Sequence, residues 1–192
     1  MSIRPVAVVA AVIAAAALLP ATPARAELLK SAETGFTARN AVSIAARPDV
    51  VWAALIEPAR WWNPAHSWSG KAASFSLDAR AGGCFCEALP NGGSVEHQRV
   101  LFVSPGKLLR LAGGLGPLQP EPVSAVMSWE LKAEGEGTRL TQTYAVSGAV
   151  SSGGEGGLGA WAAPVDGVIR EQLERLQGLV ERGSPEPAKA GK

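Results

Sequence analysis

The chain contains few of the residues that build metal centres and redox sites, with two cysteines and two histidines among its 192 residues. Cys84 and Cys86 are separated by a single residue, whereas zinc sites normally use paired Cys-x2-Cys or His-x3-His elements. The two histidines, His66 and His97, lie far apart in sequence. This scarcity excludes the standard zinc frameworks, and we expect no cofactor.

The common catalytic sequence motifs are missing as well. Gly106-Lys107 has Leu101 where a phosphate-binding loop has its upstream glycine, and Leu108 where that loop has Ser or Thr. The sequence contains neither a Gly-x-Ser-x-Gly nucleophile elbow nor a His-Glu-x-x-His helix. No motif therefore supports nucleotide binding, α/β-hydrolase chemistry or metalloprotease chemistry.

The chain also lacks an excess of charge of either sign, with 18 basic and 17 acidic residues. Two of the basic residues, Arg4 and Arg25, lie in the first 26 positions, so 16 basic residues face 17 acidic ones in the remainder. Basic and acidic residues alternate along the chain, whereas a nucleic-acid-binding protein concentrates lysine and arginine on one face. Nucleic acid is therefore not an expected partner.

One long apolar run is present, and it lies at the N-terminus. Arg4 precedes fourteen apolar residues, Val6 to Leu19, and Pro20 and the triplet Ala24-Arg25-Ala26 follow them. Fourteen residues make a helix of about 21 Å, too short for a hydrocarbon core of about 30 Å. The segment is typical of a cleaved export signal, and a retained membrane anchor is the alternative.

This interpretation divides the chain into three parts. Residues 1–26 form the signal peptide, residues 27–182 one domain, and residues 183–192 a mobile tail rich in proline and glycine. We expect a periplasmic or secreted protein that has no membrane contact after the signal has been removed.

Alternating apolar and polar residues predict seven strands between turn signals. The clearest alternation places Val123, Ala125, Met127, Trp129 and Leu131 on one face. The turns are short, which predicts antiparallel neighbours. The predicted strands cover residues 40–46, 73–78, 84–89, 95–103, 108–111, 123–131 and 138–146.

Helical spacing is found in two regions. A short helix is expected after Pro48, and a second helical turn over Ala59 to Trp62 would point its adjacent indoles about 100° apart, so that only one faces the sheet. A long amphipathic helix is predicted from Trp161 to Val180. The loop before it, residues 147–159, contains six glycines and is either a lid or a slack linker.

The order of short motifs along the chain resembles that of the SRPBCC or START-like superfamily. It is most similar to the branch named after the activator of heat-shock protein 90 ATPase and to polyketide cyclase-like proteins. The residues that carry the resemblance are Arg47-Pro48-Asp49-Val50-Val51-Trp52, Trp61-Trp62, Gly82-Gly83, Ser104-Pro105-Gly106, Gly137-Thr138-Arg139-Leu140-Thr141 and Trp161. The resemblance implies an α+β helix-grip fold. A curved antiparallel sheet of about six to seven strands surrounds a long C-terminal helix, with two short helices after strand 1.

The resemblance also implies a cavity between sheet and helix that holds an apolar or amphipathic small molecule. The expected ligand-binding residues are Trp61, Trp62, His97, Trp129, Tyr144 and Trp161. Related cyclase and dehydratase branches imply an alternative, an enzyme acting on a polyketide-like or aromatic substrate with His97, Glu96 and Tyr144 as candidates for proton transfer. Because Glu96 and His97 are adjacent on a strand, they should point to opposite faces, which favours binding over catalysis. Activation of a chaperone ATPase is a third possibility.

The pair Cys84 and Cys86 departs from the family pattern and allows three interpretations. The two residues are small buried hydrophobes, a disulfide, or metal ligands together with His97 from the next strand. In a regular strand, side chains two residues apart are about 6.6 Å apart, too far for a disulfide, whose Cβ atoms lie about 3.5–4.5 Å apart. A disulfide would therefore require a bulge or a turn at this point.

Overall fold

The structure is a computed structural model that describes residues 25–151 and 155–188. Most of the predicted signal peptide, residues 1–24, lies outside the described residues, as do positions 152–154 and 189–192. Export and signal cleavage therefore stay predictions.

Within the described residues, eight strands and two α-helices form the domain. The strands are β1 (Arg25–Ala32), β2 (Gly35–Ile44), β3 (Phe75–Leu77), β4 (Cys84–Ala88), β5 (Ser94–Ser104), β6 (Leu108–Ala112), β7 (Val123–Glu134) and β8 (Gly137–Gly148). The helices are α1 (Pro48–Leu55) and α2 (Gly159–Arg182). Short 3-10 turns lie between α1 and β3, among them Pro58–Arg60 and Pro64–His66.

All eight strands belong to one antiparallel sheet, in the order β1-β2-β8-β7-β6-β5-β4-β3. Helix α2 packs against β1, β2 and α1. The predicted α+β helix-grip fold is confirmed. The expected number of strands was too low by one, because β1 begins at the end of the predicted signal peptide and has no alternation that marks it as a strand.

The predicted face of β7 is confirmed. Ala125, Met127, Trp129 and Leu131 are buried, while the residues between them are half-buried or exposed. Strand β8 continues this inner face with Leu140, Tyr144 and Val146, and also buries Thr138 and Gln142 there. The core therefore lies on the side of the sheet that faces α2.

Helix α2 has 24 residues, which corresponds to a length of about 36 Å. Ile169, Leu173 and Leu176 form the centre of its buried stripe, and Gly183, at φ 71°, ends it in the left-handed conformation that glycine adopts without steric cost. Near its N-terminus the stripe is only half-buried, at Trp161 and Val165. No helix in the described part of the chain is long and apolar enough to span a membrane.

The corner after α1 differs from the expectation. The expected helical turn over Ala59 to Trp62 is instead the 3-10 turn Pro58–Arg60, which ends before Trp61. Both indoles are buried, and their ring centroids are 5.6 Å apart. Trp61 packs against Trp129 of the sheet, in keeping with the expectation that one indole faces the sheet, so only the helical geometry assumed for this turn was wrong.

The segment expected to be a tail begins by folding back on α2. A guanidinium N–H of Arg175 donates to Glu186 Oε1 at 3.0 Å, and Arg182 donates to the Glu186 carbonyl at 3.2 Å. Arg175 also donates through Nε to the carbonyl of Trp61 at 2.8 Å, which ties the tryptophan corner to the helix.

Candidate functional site

A cavity of about 370 Å³ lies between α2, the sheet and two loops. Apart from two imidazoles and one hydroxyl, the side chains that line it are apolar or aromatic. Helix α2 supplies Trp161, Pro164, Val165, Val168 and Ile169. The segment after α1 supplies Trp62, Ala65, His66, Ser67 and Trp68, strand β5 supplies His97, and the loop between β6 and β7 supplies Leu115, Gly116 and Pro117.

The cavity has a buried end and an exposed edge. Its wall contains Trp62 and His97, both nearly fully buried, whereas the Trp68 side chain is 58% exposed. Trp62 is itself held in place, because its Nε1 donates to the carbonyl of His66 at 2.8 Å and its ring packs against Phe75 and Phe85. The wall is therefore largely pre-formed, as is usual for small-molecule sites.

His97 reaches the cavity as one member of a buried hydrogen-bond network. Its Nε2 lies 2.9 Å from Glu87 Oε2, and its ring stacks on Phe75 with centroids 5.1 Å apart. Glu87 is fully buried and also accepts the backbone N–H groups of Trp68 at 3.1 Å and Ser69 at 2.5 Å. Glu87 thus joins β4, β5 and the edge of the cavity.

The protonation states of this pair follow from its surroundings. Burial lowers the pKa of His97 below its ordinary value, and Glu87 offsets only part of that shift. Burial raises the pKa of Glu87, but hydrogen bonds from the side chain and backbone of Ser69, the backbone of Trp68 and the ring of His97 outweigh it and hold the pKa below the usual range. Near neutral pH the carboxylate is ionised and the imidazole neutral. His97 therefore donates through Nε2–H, and the lone pair is on Nδ1.

A second histidine–carboxylate pair lies at the same cavity, with His66 in its lining. His66 Nε2 lies 3.1 Å from Glu171 Oε2, and Asn63 Nδ2 donates to the other oxygen of Glu171 at 2.5 Å. Asn63 also caps the turn that carries His66, since its side chain accepts the N–H of Ala65, and its own N–H donates to Gln172 on α2 at 2.8 Å. These bonds fix His66 against the helix.

The cavity wall also contains a polar donor without a partner. The indole Nε1 of Trp161 is buried and has no hydrogen-bond partner among the described residues. A buried N–H without an acceptor costs free energy, and an acceptor on a bound molecule would recover it once the indole turns, since the nitrogen is closed to solvent in this conformation.

Of the six expected ligand-binding residues, three line the cavity: Trp62, His97 and Trp161. Trp61 and Trp129 instead pack edge to face in the core, with ring centroids 6.0 Å apart, beside a void of about 20 Å³ that is too small for a ligand. These two indoles therefore build the core behind the cavity.

Tyr144 is fully buried and lies outside the cavity lining. Its hydroxyl donates to the carbonyl of Gly113 at 3.1 Å and accepts the N–H of Leu115 at 3.0 Å. Burial raises the pKa of the phenol well above its ordinary value. This hydroxyl holds the loop that forms one cavity wall, and its hydrogen bonds to Gly113 and Leu115 are used for that purpose.

Glu96 does not reach the cavity, as its position next to His97 predicted. It is exposed and forms an ion pair with Arg99. Cys84 and Cys86 form a disulfide and lie on the face of β4 opposite to buried Phe85 and Glu87.

The possible metal set of Cys84, Cys86 and His97 is therefore not assembled. In the register, Cys86 pairs with Glu96, and His97 faces the inner side. Among the described residues, no three His, Cys, Asp or Glu side chains are grouped to hold a metal ion.

Three residues of the site were missed at the sequence level: Glu87, His66 and Glu171. The alternation of β4 does contain a signal for Glu87, because Phe85 and Glu87 share the inner face and a carboxylate on an apolar face needs partners. Nothing comparable exists for His66 and Glu171, which are 105 residues apart.

The glycine-rich loop 147–159 does not close the cavity with any of its described residues, 147–151 and 155–159. Its two ends are anchored elsewhere. Leu158 donates its N–H to Glu33 at 2.8 Å, and Ser151 donates its N–H to Glu121 at 3.0 Å. The lid interpretation stays a prediction.

Comparison with known proteins agrees with this geometry. Residues 35–181 match the family described as polyketide cyclase/dehydrase and lipid transport. No protein of curated function matches the chain.

Several solved structures share the fold. The solution structure of CalU16 from Micromonospora echinospora has a TM-score of 0.55 at 20% identity, covering 92% of this chain and 85% of that one. EF2215 from Enterococcus faecalis, of unknown function, has a TM-score of 0.56 at 14% identity, with coverages of 88% and 82%. Mll3558 from Rhizobium loti has a TM-score of 0.54 at 23% identity, with coverages of 75% and 96%. Because the family match covers most of the chain, the protein belongs to the polyketide cyclase/dehydrase and lipid transport family of the SRPBCC superfamily.

Proposed function

We propose that the protein is an exported binding protein that holds one amphipathic small molecule in the cavity between α2 and the sheet. The observation that carries this proposal is the cavity itself, whose volume of about 370 Å³ lies in the range of small-molecule sites. Its apolar lining favours an apolar body, since each 100 Å² of ligand surface removed from water contributes about 2.5 kcal/mol.

The polar groups of the wall define the polar end of the ligand. His97 has a lone pair on Nδ1 that Glu87 does not use, and Trp161 has an unpartnered N–H that a turn of the indole would bring to the ligand. A hydroxyl or carbonyl group on an otherwise apolar molecule satisfies one or both. A charged group on the ligand has to lie at the exposed edge of the cavity beside Trp68, because the remaining lining cannot solvate it.

Native mass spectrometry of the protein purified from its own host tests for a bound molecule. A cavity-filling variant, Val168→Phe, adds volume to the wall, and Val50→Phe makes the same change at a half-exposed position on α1. With anilinonaphthalene sulfonate as a fluorescent probe, we expect Val168→Phe to weaken binding by about tenfold, or 1.4 kcal/mol, and Val50→Phe to leave it unchanged. Equal probe affinity in both variants would contradict the assignment of this cavity.

A second candidate function is proton transfer on the bound molecule. It is favoured by one observation: two imidazoles, each hydrogen-bonded to a carboxylate, face one cavity. A neutral His97 whose Nε2–H is fixed by Glu87 is arranged as a general base through Nδ1. Convergence of titratable groups in a cavity is typical of active sites and of some structural networks.

Deuterium uptake separates the two functions. The molecule identified by mass spectrometry is incubated in D₂O with the protein or with His97→Gln, and its mass is followed. Uptake that depends on His97 supports catalysis. Uptake at the uncatalysed rate in both samples leaves binding as the function.

The export part of the proposal is supported by residues 1–26 and has its own test. If the signal is removed after Ala26, the mature chain begins at Glu27, inside β1. The intact mass of the protein from the periplasm or the medium should therefore correspond to residues 27–192. A full-length mass would indicate a retained leader instead.

A further inference from the structure

The disulfide between Cys84 and Cys86 lies directly behind the proposed site. Both cysteines are half-buried on the outer face of β4. Phe85 between them, and Glu87 after them, point to the inner face, where Phe85 packs against the ring of His97 with centroids 5.3 Å apart. A change in the backbone of residues 84–86 is therefore passed to His97 in the cavity wall through Phe85.

The pairing of β4 with β5 is irregular at this point. Cys84 pairs with Arg99 and Cys86 with Glu96, so the two cysteines are two residues apart on β4 while their partners are three residues apart on β5. The Cα atoms of the cysteines are 5.4 Å apart, whereas two residues of a regular strand span about 6.6 Å. The disulfide thus accompanies a shortened β4 and a bulge on β5.

The extra residue in the bulge is His97. It falls between the register pairs Phe85–Gln98 and Cys86–Glu96, and as a result both His97 and Gln98 are buried on the inner face. In a regular ladder adjacent residues face opposite sides, so only one of these two would point inward. The bulge is what allows His97 to reach Glu87 and the cavity while Gln98 donates to Gly113 at 3.1 Å.

The position of the disulfide argues against a mainly stabilising role. Loop-closure entropy grows with the number of residues enclosed, and this bond encloses a loop of three. It therefore constrains the unfolded chain little, and its main effect is on the local geometry of β4.

We propose that the Cys84–Cys86 disulfide is a redox-responsive positioning element that holds His97 at the cavity, and that reduction by a dithiol weakens ligand binding. In the reaction, the dithiol loses two electrons and two protons and becomes a disulfide, while Cys84 and Cys86 become two thiols. Without the bond, β4 extends toward the regular spacing, by about 1 Å over two residues. The bulge then relaxes and His97 moves relative to Glu87. The binding readout of this proposal rests on the proposed function, whereas the movement of His97 does not.

The test compares four samples: oxidised protein, protein reduced with dithiothreitol, and the variant Cys84→Ser/Cys86→Ser with and without dithiothreitol. Each is titrated with anilinonaphthalene sulfonate, and the imidazole nitrogens of His97 are followed by ¹⁵N NMR, assigned with His97→Gln. Circular dichroism records whether the fold is retained.

We expect reduction to raise the probe Kd by about threefold to tenfold, because a shift of about 1 Å exceeds the tolerance of a hydrogen bond. The NMR signals of the His97 nitrogens should shift on reduction as well, and both changes should reverse on reoxidation. The serine variant should have the probe Kd and the His97 signals of the reduced protein, and dithiothreitol should change neither. If the serine variant does not fold, reduced and reoxidised wild-type protein give the same comparison.

Three results would overturn the proposal: two free thiols in unreduced protein, His97 signals and probe Kd unchanged by reduction, or loss of the whole fold on reduction. If the His97 signals respond to reduction but the probe binds in neither state, the proposed binding function fails while the positioning role of the disulfide stands.

Discussion

Replacement of the Glu87 carboxylate by an amide should destabilise the fold more than its small change in shape suggests. In Glu87→Gln the side chain stays in place but offers one acceptor oxygen instead of two. Three donors use those oxygens in the native protein: Ser69 N–H on Oε1, and Trp68 N–H and His97 Nε2–H on Oε2. Whichever way the amide is oriented, at least one of these donors faces an NH₂ group.

The size of the effect follows from this count. A buried donor that loses its acceptor costs about 1–3 kcal/mol, and the remaining bonds lose their charge assistance. We therefore expect the free energy of unfolding of Glu87→Gln to fall by about 2–4 kcal/mol. For a typical urea dependence of about 2 kcal/mol per molar, the unfolding midpoint falls by about 1–2 M.

Urea unfolding followed by tryptophan fluorescence measures this change. Glu96→Gln is the matched control, since Glu96 is on the adjacent strand and its side chain is exposed and paired with Arg99. We expect that variant to lose less than about 1 kcal/mol. A Glu87→Gln midpoint within 0.3 M urea of the control, by the same ~2 kcal/mol per molar slope, would refute the role assigned to the buried carboxylate.

Two further predictions concern pH and the buried tyrosine. The pKa of His97 is lower in the folded protein than in the unfolded chain, so as the pH falls the unfolded chain binds this proton at a higher pH than the folded protein does. The free energy of unfolding should therefore decrease progressively as the pH falls below about 6.5. The lowered pKa of Glu87 should cause a second loss of stability below about pH 4.3. When the urea midpoint is measured against pH, the loss that begins at about pH 6.5 should be absent in His97→Gln. Tyr144→Phe leaves the N–H of Leu115 without its acceptor, which should cost about 1–2 kcal/mol and lower Tm by about 2–8 °C in calorimetry; an unchanged Tm would show that this hydroxyl contributes nothing to the loop.

Much of the fold was predictable because its signals are local. Strand β7 alternates strictly enough to define its buried face, and the stripe from Ile169 to Leu176 defines that of α2. Strand β1 was not predictable, since its residues follow the apolar leader and its pairing with β2 is decided by contacts that its own sequence does not show. The corner at Trp61 and Trp62 was missed because a 3-10 turn and a helical turn share the same short sequence signals.

The site was predictable only in part, for a different reason. His97 was identified because imidazoles are rare in this chain, and Trp161 because it begins the amphipathic stripe. The inward position of both His97 and Gln98 depends on a bulge, and a bulge changes the alternation on which face assignments rest. The pairing of His66 with Glu171 arises when a turn docks on a helix far along the chain. Such contacts belong to the tertiary structure and leave no periodic signal.

The central claim, a ligand cavity walled by α2 and β5, is tested most directly by the indole N–H signals of the six tryptophans during titration with anilinonaphthalene sulfonate. We predict that the signals of Trp62, Trp68 and Trp161 shift in a saturable way, while that of Trp129, in the core, stays in place. Saturable shifts at Trp129 without shifts at Trp161, or no saturable shift at any of the six, would contradict the account.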